Sequence, residues 1–393
     1  MNQNYQKIEK LIKETYLIAD PGIVKLLCAG MLSHYISGRP AWIFIVGASS
    51  SGKTALLDGL TEIKNAHSIS SITPKTLVSG MKKVDQETSL LHIIGSGIIL
   101  MKDFTSIISM HDDDKKQIFG QLREIYDGRY VKRFGNGFNF LWEGKISIIA
   151  GVTEAIYQAR EMFASLGERF IMYCPILPDR YEMAYETLGP ESDSPAREAE
   201  IRAAFNEYIN GLIENMPDTM EISDDLRKEL ANLADFATRA RSPVQRDWRN
   251  PRKPITRVYT PEMPARFAKQ LKVLAQSLML MNEDGKLNEI DYYIIHKLAL
   301  DSIDMTRILV LRELARYNLV STAGLATKIN HPTDTTRMVL EDLDALKVCN
   351  RIKGSNKDEW QLKDSYKKIV QQLENIENGK MRLMLKDIKR SMK

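Results

Sequence analysis

Cysteine is scarce, and what there is forms no framework. The 393 residues hold three cysteines, Cys28, Cys174 and Cys349. Scattered and odd in number, they exclude a disulfide scaffold and a zinc cluster as expectations, and suit a reducing cytoplasm. Long apolar runs are lacking as well: none approaches the ~20 residues that a membrane span needs. The opening Met1–Lys7 is polar and has no signal-peptide core. An excess of one charge is also missing. A net charge of +4 is too mild to establish a nucleic-acid partner, so such a claim must rest on where the basic residues lie. At 44% hydrophobic and 27% charged residues, the composition is that of a globular protein long enough for two or three domains.

Against this plain background one stretch is informative. Trp42-Ile43-Phe44-Ile45-Val46 is a short apolar run of buried-strand type. It leads into Gly47-Ala48-Ser49-Ser50-Ser51-Gly52-Lys53-Thr54, which fits the G-x-x-x-x-G-K-[ST] phosphate loop. Glycines and small serines let backbone N–H groups close around phosphate oxygens. Lys53 has the reach for the β- and γ-phosphates, and the Thr54 hydroxyl suits Mg²⁺. A helix from about Lys53 through Leu60 would aim its positive end at the same anion. ATP and Mg²⁺ are therefore the expected ligands.

Upstream, residues 5–37 read as two helices broken at Asp20-Pro21-Gly22. Downstream, Ile69–Thr73 reads as a short strand, and Gly97–Phe104 as an apolar strand ending in an acid. The acid's register is open. Strict placement puts Lys102 at the metal-side position and Asp103 second. A cation beside Mg²⁺ is electrostatically poor, which favours Asp103 on the metal side, Lys102 turned away and Phe104 where a water-polarising acid belongs. Both placements leave a single acid. Asp112-Asp113-Asp114 suits a solvated helix start. Alternating arms around Gly135-Asn136-Gly137 signal a hairpin. Beside its turn, Lys132, Arg133 and Phe134 combine charge for phosphates with a ring for stacking, as a single-strand contact requires; the same alternation also suits plain packing. Lys145–Thr153 is the next strand, and Thr153 at its end can align water or sense the γ-phosphate. Gly167-Glu168-Arg169-Phe170 precedes another apolar run.

Taken in order, these features resemble the ring-forming AAA+ ATPases. The hairpin before the Thr153 strand is similar to the pre-sensor hairpin of the minichromosome-maintenance branch. Lys102-Asp103-Phe104-Thr105 and Leu122–Gly128 are similar to ATPases encoded by phages and integrative elements. The resemblance implies an α/β fold with an AAA+ phosphate-loop core and a helical lid, to which the residues themselves add a C-terminal winged helix-turn-helix. It implies Arg169 as an arginine finger reaching a neighbouring subunit, Arg266 as a lid sensor, and a homo-oligomer, in all expectation a hexamer, with single-stranded DNA in its pore.

The C-terminal half adds an independent signal. Pro178–Ala196 reads as an exposed connection, followed by helices. A basic run at Arg239, Arg241, Arg246, Arg249, Arg252 and Lys253 fits a solvated loop or a nucleic-acid contact. Helices at 308–314, 321–328 and 333–347, then strands at 349–353 and 359–362, spell a winged helix. Its third helix would offer Thr335, Thr336 and Arg337 to duplex DNA, although such folds also bind proteins and this helix carries Asp334, Glu341, Asp342 and Asp344. The expected segments are 1–177 (nucleotide core), 178–302 (lid and connecting helices), 303–364 (winged helix) and 365–393 (basic helical tail). The expected function is an ATP-driven DNA helicase or translocase of a phage or mobile element. An ATP-switched initiator, helicase loader or transposition regulator, favoured by the single acid, is the alternative, and a packaging or protein-remodelling motor the third.

Overall fold

The apolar run ahead of the phosphate loop forms β1 (Trp42–Val46), buried at every position. It lies inside a parallel five-stranded sheet in the computed structural model, which describes residues 3–79, 89–135, 137, 139–159, 168–188, 194–354, 357–372 and 374. With strands numbered along the chain, the sheet order is β2 (Ala66–Ser68), β3 (Gly97–Met101), β6 (Ile146–Val152), β1 and β7 (Phe170–Tyr173). Strands covered on both faces read as continuous apolar runs, which is how β1, β3 and β6 were legible. Register pairs Ile43 with Ile149 and Ile99 with Ile148. On one face Phe44 stacks on Phe170 at 3.8 Å and meets Phe104 at 4.8 Å. On the other, the Ile23–Ser33 helix comes so close at Gly30 that a Cβ there would lie 2.9 Å from the Ile149 side chain.

The chain forms two compact units. One comprises Met1–Ile222 with Lys269–Asp291, the other Ser223–Ala268 with Tyr292–Lys393. In the first, the Gln3–Thr15 and Ile23–Ser33 helices are separated as Asp20-Pro21-Gly22 requires. Asp20, read in the sequence only as part of that break, is buried and accepts from Gly22 N (2.8 Å), Tyr173 Oη (2.6 Å) and Ile176 N (2.9 Å). That joins the N-terminal bend to the end of β7. The helix after the phosphate loop is shorter than expected, Lys53–Asp58: Gly59 N still donates to Ala55 O, but Leu60 N turns to Leu57 O, and a Cβ on Gly59 would sit 3.0 Å from the Phe205 ring. The strand expected at Ile69–Thr73 lies earlier, at Ala66–Ser68. Asp112–Asp114 open the Asp112–Tyr126 helix and are exposed, as expected of a solvated start. Within the connection expected at Pro178–Ala196 stands a helix, Arg180–Thr187, while Gly189–Asp193 lie outside the described residues.

In the second unit the Met305–Ala315, Thr322–Lys328 and Thr333–Ala345 helices accompany a three-stranded antiparallel sheet. Its order is β10 (Val320–Ser321), β12 (Asp358–Leu362), β11 (Cys349–Lys353). Ser321 caps the middle helix by accepting from Gly324 N at 3.2 Å. The basic run is a hairpin, β8 (Val244–Arg246) with β9 (Ile255–Val258). Lys380, Arg382, Lys386, Lys389, Arg390 and Lys393 of the basic tail lie outside the described residues. Among the described residues no helix is long and apolar enough to cross a membrane.

Candidate nucleotide and nucleic-acid sites

Parallel direction brings the C-terminal ends of β1, β3 and β6 to one edge of the sheet, and the phosphate loop leaves from the first of them. Gly47 N donates to Val152 O at 3.1 Å, tying the loop's start to the end of β6. Two positions need unusual backbone, Ser50 at φ 60° and Gly52 at φ 80°. Only glycine adopts the second without strain. A Cβ on Gly47 would lie 3.2 Å from Ser51 Oγ and crowd that side chain. Ala48, Ser49, Ser50 and Thr54 are exposed. Lys53 Nζ donates to Gly47 O (2.9 Å), Ala48 O (2.6 Å) and Ser51 Oγ (3.1 Å). Partial burial lowers its pKa, opposed by the Asp103 carboxylate.

At the acid-ended strand Lys102 and Asp103 have different partners. Lys102 turns away and pairs with Asp58 at 2.5 Å, a partner that sequence reasoning missed. Asp103 is exposed and its Oδ1 accepts from Thr105 N at 2.8 Å. Phe104 is fully buried against Phe44 and Phe170, so its position belongs to the core. Thr105 is a second missed residue: its Oγ1 lies 3.2 Å from Thr153 Oγ1 and accepts from Thr153 N at 3.2 Å. The signal was available in the Lys-Asp-Phe-Thr string. Among the described residues no group of three His, Cys, Asp or Glu is placed to hold a metal by itself. A site with one carboxylate and one hydroxyl, Asp103 and Thr54, fits Mg²⁺ that completes its shell with phosphate oxygens and water. The residues thus fit a magnesium-bound polyphosphate.

Between β3 and β6 stands the expected hairpin, β4 (Arg129–Arg133) with β5 (Asn139–Glu143). Its turn residues Asn136 and Phe138 lie outside the described residues. Tyr130, Phe140 and Trp142 face the core, and Trp142 Nε1 donates to Gly95 O at 2.8 Å. Val131 and Leu141 face out, at 55% and 51% exposure. Arg133 is exposed; Lys132 Nζ lies 5.0 Å over the Phe134 ring, which is partly buried against the core.

Arg169 is buried within its own chain. Its Nη2 meets Asp127 Oδ2 at 3.3 Å, its guanidinium lies 5.5 Å over Tyr126, and its carbonyl accepts from Gln270 at 2.5 Å. Gly167 lies outside the described residues. Arg266 belongs to the second unit and pairs with Glu262 at 3.3 Å.

On the Thr333–Ala345 helix, one expectation is corrected. Thr336 was expected to be exposed, but it is buried at 1% and its hydroxyl donates to Pro332 O at 3.1 Å. One helical turn separates i from i+4, so the hydroxyl satisfies the first turn's own carbonyl. Thr335 and Arg337 are half-buried, and Arg337 pairs with Glu341 at 2.7 Å. The helix's acids are largely turned to internal use: Glu341 and Asp342 receive Arg246, and Asp342 also receives Arg307.

These features define a mixed α/β protein whose parallel five-stranded sheet is compatible with a phosphate-loop core. A solved structure titled "SCCmec type IV Cch - active helicase" is similar at a TM-score of 0.37 and 10% identity, covering 93% of this chain and 71% of that one. No protein-family model and no curated protein matches the sequence.

Proposed function

We propose that this chain is an ATPase of the AAA+ type that acts on DNA as a helicase or translocase. The observation that carries the reading is convergence: Asp103 and Thr153 follow the ends of the adjacent strands β3 and β6, and the loop that leaves the neighbouring β1, with Gly52 at φ 80°, leads to Lys53 at the start of the next helix. In it the loop N–H groups and Lys53 bind phosphate oxygens, and Thr54 and Asp103 hold Mg²⁺. Magnesium, when bound, supplies positive charge against the phosphate oxygens. The Thr105–Thr153 pair holds a hydroxyl at the place where attacking water needs orienting. The 129–143 hairpin contributes Lys132, Arg133 and Phe134 to DNA, and the three helices and antiparallel strands of residues 303–364 act as a winged helix on duplex DNA through Thr335 and Arg337. The chain assembles as a hexameric ring, with Arg169 and Arg266 serving nucleotide sites after rearrangement from their present partners.

A second reading is favoured by one observation. Phe104 fills the core where a second acid would stand, and slow turnover suits an ATP-switched initiator or loader. Steady-state ATPase with and without single-stranded DNA, and strand displacement on a forked duplex, separate the two. A motor shows DNA-stimulated turnover and displacement that Lys53→Ala abolishes. ATP binding without displacement selects the switch, and no ATP binding in the folded protein refutes both.

A further inference from the structure

Folding divides the basic run of residues 239–253 in two. Arg239, Arg241 and Arg246 are consumed inside the second unit. Arg239 pairs with Asp235 at 2.9 Å, Arg241 with Glu262 at 2.6 Å, and Arg246 with Glu341 and Asp342 at 3.1 and 2.7 Å. The run's other cations, Arg249, Arg252 and Lys253, lie on the β8–β9 turn, and Arg257 follows on β9. Arg249, Arg252 and Arg257 are exposed, Lys253 is half-buried, and none has a carboxylate at ion-pair distance among the described residues. From Asp247 to Tyr259 these four cations accompany one acid, and the Asp247 carboxylate is occupied by Arg249 N at 3.0 Å.

Rings are interleaved with the charges. Trp248 is 68% exposed and Tyr259 41% exposed. The other tryptophans, Trp42, Trp142 and Trp360, are exposed by 0%, 3% and 1%. Lys253 Nζ lies 5.2 Å from the Trp248 ring centre, and Arg257 lies 5.0 Å from that of Tyr259. A cation on one face of a ring leaves the other face for a base.

The turn is also preformed. Asp247 N donates to Pro254 O at 3.0 Å and Lys253 N to Asn250 O at 2.9 Å. At its base the buried Arg246 donates across the turn to Lys253 O and down to Met338 O, both at 2.7 Å. One guanidinium therefore fastens the hairpin to the Thr333–Ala345 helix. The contact surface forms before any ligand arrives, which lowers the ordering cost of binding.

We propose that the β8–β9 turn binds single-stranded nucleic acid, with phosphates against Arg249, Arg252, Lys253 and Arg257 and unpaired bases on Trp248 and Tyr259. Stacking inside a duplex hides the base faces that a single strand exposes, so the rings select single strands. The inference does not depend on ATP hydrolysis or on the 129–143 hairpin.

The test uses the full chain without nucleotide, titrated with an oligo-dT of about 15 nucleotides, the upper range for one such groove. Trp248 emission should be quenched and shielded from acrylamide, and Trp248→Phe should abolish that response while the buried tryptophans still emit. Trp248→Ala should weaken binding about 5- to 100-fold. Arg249→Ala with Arg252→Ala should reduce the slope of log K against log salt by about 1 to 1.5. Both effects should persist in Lys132→Ala/Arg133→Ala, which separates this site from the other hairpin. A duplex of equal charge should quench far less. The proposal is overturned by any of four results: Trp248 equally accessible at saturating oligo-dT, no oligo-dT binding, a salt slope unchanged in the double variant, or emission that follows an acidic peptide or protein concentration instead of nucleic acid.

Discussion

Gly151→Ala probes the link between strand packing and the candidate nucleotide site. A Cβ at Gly151 would lie 2.6 Å from the carbonyl oxygen of Lys102, a backbone atom that cannot swing aside. Ordinary contact begins near 3.4 Å, so the chain at Lys102–Asp103 must move about 0.8 Å away from β6. The Phe104 N to Gly151 O hydrogen bond, now 2.8 Å, is lost by such a shift. Overpacking costs about 1–3 kcal/mol and the hydrogen bond about 1 kcal/mol, for a total of about 2–4 kcal/mol. In a unit of this size, 1 kcal/mol moves Tm by roughly 2–4 °C, so melting should fall by roughly 5–15 °C. Asp103 moves with its backbone, and a displacement of about 1 Å at a reacting centre costs about 100-fold in turnover. Gly30→Ala is the control. There a Cβ meets only the flexible ends of Ile149 and Ile43, at 2.9 and 3.0 Å, so it should lose stability without a selective loss of kcat. Differential scanning fluorimetry and a coupled ATPase assay read the two arms. A Gly151→Ala protein with wild-type melting and wild-type turnover would show that the close approach of β3 and β6 does not position Asp103.

Two further outcomes follow from buried charge. His34, 7% exposed and 3.1 Å from Ser147 Oγ, has its pKa pushed down to about 4 by burial and by the nearby Lys145 ammonium. Between its unfolded and folded pKa values the unfolded chain binds the extra proton, so stability should fall as pH drops from about 6.5 to 4, by roughly 3 kcal/mol. His34→Gln should flatten that portion of the curve in urea titrations at several pH values; identical slopes would refute the assignment. Lys25 and Asp291 pair at 2.7 Å with side chains 3% and 0% exposed. Lys25→Met should cost about 3–5 kcal/mol by stranding the carboxylate, and Lys25→Met/Asp291→Leu should recover part of it. A double variant less stable than both single variants would contradict this.

Much of the first unit was legible because its signals are local. A phosphate loop declares itself through residue types at fixed spacing, and buried parallel strands through unbroken apolar runs. The hairpin at 129–143 announced itself by alternation around glycines. What alternation did not say is which face is inward: Tyr130, Phe140 and Trp142 went to the core, because burying large rings is worth more than exposing them. The acid's register stayed open in the sequence, since Lys102 and Asp103 both follow the apolar run. In the fold Asp58, distant along the chain, pairs with Lys102, while Asp103 is exposed and accepts from Thr105 N.

Charged residues were the least readable, because their meaning depends on partners far away in sequence. The resemblance gave Arg169 to a neighbouring subunit, while within its own chain Asp127 and Tyr126 hold it. Arg246 and Arg249 looked alike in one basic run, yet the first is buried on Glu341 and Asp342 and the second faces solvent. Sequence alone determined the buried strands β1, β3 and β6, the 129–143 hairpin and the glycine-rich loop pattern between β1 and its helix, since each is written in neighbouring side chains. Only tertiary structure decided which cations are spent on internal carboxylates and which remain available, since a charge takes its role from what packs against it.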